Sequence, residues 1–274
     1  MITLQGPVIC ILAAALTLGG AMPAAGQQPG IPQQNVTQQA TRQQTASRQG
    51  TSQQTVSQQT GAQPAITPTA KELNQSFNAD AAQWAARFEH EGRAIYDKRF
   101  EILDAMGLKP GMDVADIGAG SGLISRLIAQ RVAPGGTVYA VDIAKNMVDY
   151  IAKTAQEQKI TNLKAVLGDP HSPQLPPHSV DVICIIDAYH HFEYPKDMLA
   201  EINKALRPDG LLLLIDFKRI EGISRPYILK MVRAGEGAFT DEFLDAGFEL
   251  IERRDDMFPE NYLLKFRHRR PPAN

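Results

Sequence analysis

The chain has 274 residues, 43% of them hydrophobic, with a formal net charge of −2. That length allows one or two domains, and the near-neutral charge gives no footing for a nucleic acid or an anionic membrane surface, both of which favour a basic protein. Two cysteines, Cys10 and Cys184, leave no metal-binding cysteine pair. The six histidines show no zinc-type spacing, so no metal site is expected.

From the N-terminus, residues 7–22 are almost wholly apolar and uncharged, and the small residues Ala24, Ala25 and Gly26 follow. The run is shorter than the roughly 20 residues of a spanning helix. It reads as a secretory signal peptide over 1–26, although no Lys or Arg precedes it. Export to a periplasm-like compartment is the expectation. A cytoplasmic enzyme, or one tethered by an uncleaved leader, is the alternative. After cleavage no transmembrane segment is expected. Residues 27–70 are rich in Gln, Thr, Ser and Pro, with Arg42 and Arg48 as their charged residues and no Asp or Glu. Such a stretch cannot bury enough apolar surface to offset its chain entropy, and it reads as a disordered linker.

Residues 71–274 carry the pattern of one domain. Helical spacing from Asn78 to Leu108 puts Trp84, Phe88, Ile95, Phe100 and Leu103 on a broken apolar face. Then strand-like runs alternate with helical ones. Strands are predicted over 113–117, 137–142, 163–167, 180–187 and 211–217, and helices over 123–131, 144–158 and 196–206. Alternation of this kind implies a parallel sheet with helices on both faces. Beyond Arg225, a helix containing "TDEFLDAGF" and strands near 249–253 and 262–267 close the domain.

The first strand runs into "VADIGAGSGL", Val114 to Leu123. A glycine-rich turn from strand to helix lets backbone N–H groups approach a ligand. The dinucleotide pattern G-x-G-x-x-G/A fails, because Leu123 stands at its third position. The glycines are Gly118, Gly120 and Gly122, with Ala119 between the first two and Asp116 ahead of them. That D-x-G-x-G-x-G order resembles the first motif of class I S-adenosylmethionine-dependent methyltransferases. Asp142 ends the second strand in "VYAVDIA", where a carboxylate suits ribose hydroxyls in either family. Asp169 and Pro170 follow in "LGDP", and the fourth strand ends "IIDAYHHF" at Asp187. With "YPKDMLAEINKALRPDGLLLLIDF", this order of motifs resembles the methyltransferase type-11 family, which includes quinone-biosynthesis enzymes.

The resemblance implies a Rossmann-like α/β fold with seven strands, the last antiparallel, under an N-terminal helical cap. It implies S-adenosyl-L-methionine as cofactor and a small-molecule O, N or C acceptor. The implied cofactor set is Asp116, Gly118, Ala119, Gly120, Gly122, Asp142, Ile143, Asp169, Pro170 and Asp187, with Asp169 similar to the acid that meets adenine. Tyr189 and His190 follow strand four and are the expected acceptor-side residues, His190 as base with an ordinary pKa of about 6.5. On extended backbone His190 and His191 would point apart. Tyr96 and Arg99 are further candidates to face the pocket from the cap. The cap and residues 217–237, including Arg233, are the expected specificity region. A non-catalytic exported module binding the same ligand is the alternative function.

Overall fold

The computed structural model describes residues 69–78 and 80–269. The expected leader at 1–26 and nearly all of the 27–70 linker lie outside the described residues. Thr69 and Ala70, assigned to that linker, already belong to a helix. The Thr69 hydroxyl accepts from the Glu72 amide and Glu72 answers at the Thr69 amide, a reciprocal cap that starts α1 (Ala70–Gln75).

The cap continues as a short 3-10 turn at Ser76–Asn78, then α2 (Ala81–Phe88), α3 (Ala94–Asp97) and α4 (Arg99–Met106). Over 78–108 the chain therefore forms three helices, because it turns through 89–93 and breaks again at Lys98. The expected apolar face divides accordingly. Trp84 and Phe88 pack with Phe77 and Met147 above the sheet's end, whereas Ile95 and Leu103 join the core. Phe100 faces solvent, 49% exposed, beneath the Arg99 guanidinium.

A seven-stranded sheet follows, with strand order β3-β2-β1-β4-β5-β7-β6. Its strands are β1 (Val114–Ile117), β2 (Val138–Asp142), β3 (Leu163–Leu167), β4 (Val180–Ile186), β5 (Leu206–Phe217), β6 (Phe248–Arg254) and β7 (Asn261–His268). β1 pairs in parallel with both β2 and β4, and β7 runs antiparallel between β5 and β6. The central runs "VDVICII" and "LLLLIDF" are apolar apart from Asp181 and Asp216, because both of their faces are covered.

Between the strands come α5 (Leu123–Val132), α6 (Lys145–Glu157), α7 (Pro195–Ala205), α8 (Pro226–Met231) and α9 (Glu236–Asp245). α4, α5 and α6 cover one face, with Ile102, Ile128 and Ile151 fully buried. α7, α8 and α9 cover the other, with Ile202, Ile228, Phe239 and Phe243. The one notable boundary difference is β5. It begins at Leu206, paired to Val180, and its Arg207–Gly210 segment bulges before Val182 meets Leu211. A Pro-Asp-Gly sequence suggests a turn, but the flanking leucine still reaches a partner strand.

Strand order reverses between β1 and β4, and the crevice beyond their C-terminal ends is where open α/β sheets bind ligands. Gly122 sits at the α5 N-terminus with φ +75°, and a Cβ there would lie 2.9 Å from Ile151 Cγ1. A side chain would thus pay left-handed strain and push α6 off the sheet. Gly122→Ala should destabilise the chain by roughly 1–3 kcal/mol. Urea unfolding checks this, and an unchanged midpoint would show that neither constraint operates.

Candidate active site

A cleft partly open to solvent lies at this crevice, roofed by Asn74, Phe77, Phe88 and Arg93 of the cap. Its floor is the glycine loop. Gly118 and Ala119 donate their amides to Val141 O at 2.8 and 3.0 Å, lacing the loop to β2. Gly118 has φ +78°, and a Cβ on it would come within 2.4 Å of Ala188 Cβ. Only glycine lets the first turn pass so close to the end of β4.

Asp142 caps this arrangement. Its Oδ2 accepts the Gly120 amide and its Oδ1 the Ala144 amide, each at 2.9 Å. Burial raises its pKa against those amides. Each oxygen retains a lone pair for a further donor. Ile143 next to it lines the cleft with 37% of its surface exposed.

Asp116 is buried at the end of β1. Ser125 Oγ donates to its Oδ2 at 2.6 Å, and the Cys184 thiol points at Oδ1 from 3.6 Å. Burial outweighs both and pushes its pKa up to about 6. The buried thiol is correspondingly raised and inert.

Asp187 stands just past β4 with φ +49°, a left-handed conformation uncommon for a non-glycine residue. Arg93 Nη2 donates to its Oδ2 at 2.8 Å and Asn261 Nδ2 to its Oδ1 at 2.6 Å. Burial raises this carboxyl to about 6, with Arg93 opposing. Neither Arg93 nor Asn261 stood out in the sequence. Asn261 had one available sign, a polar residue opening an apolar strand.

The turn after β4 corrects the acceptor-side expectation. Tyr189–His191 form a 3-10 helix, so successive side chains rotate by about a third of a turn rather than alternating. Tyr189 points into the core among Phe192, Phe239 and Phe243, and its hydroxyl donates to Glu242 at 2.5 Å. Burial and that carboxylate raise its pKa, and it does not line the cleft. His190 is 1% exposed, its Nδ1 2.7 Å from Asp216 Oδ1, and it also stays behind the cleft wall. His191 is the histidine that lines the cleft. Burial, helped by His190, lowers its pKa to about 3, so its ring is neutral.

Asp169 is also turned away. Its carboxylate accepts from the His171 and Ser172 amides and from Gln174 Nε2 at 2.6 Å, folding over its own loop. Those bonds lower its pKa, the His171 amide most. Gly168, Pro170 and Ser172 line the cleft in its place. Gly122 shapes the loop from below and does not face the cleft. Tyr96 and Arg99 are likewise absent from its lining, their ring and guanidinium stacked on each other. Arg233 is neither in the cleft nor free in solvent: both of its terminal nitrogens bond Glu242, and it lies over Tyr189 and Phe239. Among the described residues no cluster of three or more His, Cys, Asp or Glu could hold a metal.

Four carboxylates, those of Asp116, Asp142, Asp187 and Glu193, thus line one cleft, and its one guanidinium, Arg93, is already paired with Asp187. Such a lining would repel a pyrophosphate and attract a cation. Residues 115–214 match the family described as "Methyltransferase domain". Nocamycin O-methyltransferase of Saccharothrix syringae is 37% identical over 109 residues, 40% of this chain and 39% of that protein. A ubiquinone/menaquinone biosynthesis C-methyltransferase of Bordetella parapertussis is 26% identical over 52% of this chain and 60% of that protein. The chain therefore spans less than two thirds of the length of these relatives. The crystal structure of an S-adenosylmethionine-dependent methyltransferase from Aquifex aeolicus superposes with a TM-score of 0.61 at 23% identity, covering 68% of this chain and 97% of that one, a likeness of fold.

The raised carboxyls make stability depend on pH. Asp116 titrates near 6 when folded and near 3.9 when unfolded, so the folded state holds the proton more tightly. Its favourable contribution is complete below the unfolded pKa and is lost as pH rises through about 6. Asp116→Asn removes that loss. Relative to the native chain, the variant should gain about 2 kcal/mol between pH 4.5 and pH 8, read from urea midpoints at both. A constant difference would place the Asp116 pKa at its ordinary value.

Proposed function

We propose that this chain, whose residues 115–214 are a class I methyltransferase domain of the type-11 superfamily, binds S-adenosyl-L-methionine in the cleft between β1 and β4 and transfers its methyl group to a small-molecule acceptor. The observation that supports this most is the donor set: Asp116, Asp142 and Asp187 around a glycine loop, with no unpaired cation beside them. When bound, the cofactor supplies an already activated methyl on a positively charged sulfur. The protein then needs to align, to exclude water and to manage the acceptor's proton.

Asp142 is suited to the ribose, since both of its oxygens have a lone pair left after Gly120 and Ala144. Ile143 offers an apolar surface for adenine, with Gly168 and Pro170 opposite. Asp116 and Asp187 hold negative charge ready for a cation, and a bound cation would favour their ionised forms. The roof residues Phe77 and Phe88 limit water. The acceptor atom stays open between O, N and C, as the O- and C-methyltransferase names of the two relatives illustrate.

Calorimetric titration with S-adenosylhomocysteine and NAD tests the reading. The former should bind and NAD should not. Asp142→Ala should weaken S-adenosylhomocysteine by about 1–3 kcal/mol, the range for hydrogen bonds to a charged group. Equal affinity in the variant would move the ribose elsewhere. Binding without methyl transfer to any acceptor in a phenol, quinol and amine panel would favour the non-catalytic binding module.

Export remains part of the proposal and rests on residues 1–26 alone. Among the described residues no helix is long and apolar enough to cross a membrane. Fractionation of the native host with N-terminal sequencing should find a chain beginning near Gln27 outside the cytoplasm. An intact Met1 in the cytosolic fraction would refute it.

A further inference from the structure

At the edge of the cleft two buried ring nitrogens on adjacent histidines lack hydrogen-bond partners. They are His190 Nε2 and His191 Nδ1. The two rings have centroids 4.1 Å apart at an angle of 42°. His190 is 1% exposed and Asp216, against it, is fully buried. Asp216 Oδ1 lies 2.7 Å from His190 Nδ1, and Oδ2 accepts the His190 backbone amide at 3.1 Å. A carboxylate at this distance pairs with an N–H on His190 Nδ1, and in the neutral ring that tautomer leaves a lone pair on Nε2. A buried lone pair with no donor is costly and asks for a role. His191, next to it, lines the cleft.

We propose that Asp216, His190 and His191 form a proton relay leading out of the cleft, and that the acceptor is therefore a group that loses a proton, a hydroxyl or an un-ionised N–H. This rests on the methyltransferase reading. As the acceptor's bond to the methyl carbon forms and the carbon–sulfur bond breaks with its electron pair left on sulfur, the acceptor's proton goes to His191 Nε2. The proton on His191 Nδ1 goes to His190 Nε2. His191 ends neutral, and His190 ends as an imidazolium against the Asp216 carboxylate, to be discharged to solvent after product leaves.

The division of labour follows from burial. His191 alone is a poor resting place for charge, since its surroundings push its pKa to about 3. A second imidazole backed by a buried carboxylate accommodates that charge. The ionisable groups around the pair are Asp187 with its Arg93 partner, Asp216, and the buried, unpartnered hydroxyl of Tyr262. Phe77 meets His191 edge-on at 5.2 Å, and Phe217 meets His190 at 5.7 Å. In the present arrangement the histidine rings are closer to stacked than head-on. The N–H···N bond therefore needs the His191 ring to turn, and Phe77 of the cap is the contact that sets its position. His191 would be a catalytic residue; His190 and Asp216 would be positioning residues.

The test is nuclear magnetic resonance of the full chain labelled with ¹⁵N in its histidine rings, titrated with S-adenosylhomocysteine. The relay predicts a through-hydrogen-bond nitrogen–nitrogen coupling between His190 and His191 in the complex. It also predicts that Asp216→Asn shifts the ring signals of both histidines. His191→Phe, at a partly exposed position, should move His190 Nε2 toward the shift of a free lone-pair nitrogen, and serves if the Asp216 variant does not fold. A complex that forms with no coupling, and with His190 indifferent to His191→Phe, would overturn the relay while leaving the cofactor reading standing. No response of any ring to S-adenosylhomocysteine, with no heat of binding, would overturn both.

Discussion

The ion pair between Arg93 and Asp187 is the junction on which the site depends. Asp187 follows β4 in a left-handed backbone conformation, and its two oxygens are claimed by a guanidinium from the cap and a side-chain amide from the first residue of β7. Three parts of the chain, at positions 93, 187 and 261, are thereby fixed to one carboxylate. Removing either partner would leave a buried charge uncompensated, which is where such pairs show their energetic weight. The same contact ties the roof of the cleft to its floor. Arg93 also lies over Phe88, whose ring approaches Gly120. The height of the roof above the glycine loop is therefore set by electrostatics at one end and by aromatic packing at the other.

That junction shapes the charge of the cleft. Arg93 is spent on Asp187, and Asp116 and Asp142 are held by a hydroxyl, a thiol and backbone amides, all neutral donors. Burial without a nearby cation is why these carboxyls titrate high. The protein carries a destabilising charge concentration when empty, and a cationic ligand relieves it. A dinucleotide would worsen it. The glycine spacing and the electrostatics thus point to the same ligand class by independent routes.

Much of this was legible in the sequence. Alternating apolar runs placed every strand within a few residues, since central parallel strands must be apolar on both faces. Asp116, Gly118, Ala119, Gly120, Asp142, Ile143, Pro170 and Asp187 all reach the cleft. What was not legible was side-chain direction after the strand ends. The rotation of a 3-10 turn sends Tyr189 into the core and His190 to Asp216, while His191 lines the cleft. Asp169 failed differently: a short carboxylate in a loop can satisfy itself on the next amides, as it does with His171 and Ser172. Arg93 lay in a turn between helices, where charge usually means solvent, so its pairing across 94 residues left no local trace.

Asp216 shows how such a trace can be found. It interrupts "LLLLIDF", a strand whose other residues are buried or nearly so, and a carboxylate there must have a partner. The partner had to come from a neighbouring strand end, and β4, paired in register with β5, ends one turn before His190. A buried acid in an apolar strand and a histidine after the adjacent one are thus a sequence-level sign of a buried dyad. The cap adds a second constraint on the same turn. Asn74 donates to the His191 carbonyl and to Glu193, and Asn146 holds the Phe77 carbonyl from α6. α1 itself buries no residue fully. The roof over His191 is therefore held by a few hydrogen bonds and the Phe77 ring, far less than holds the sheet beneath it. A site that must admit a ligand and then close over it needs that difference in strength between roof and floor.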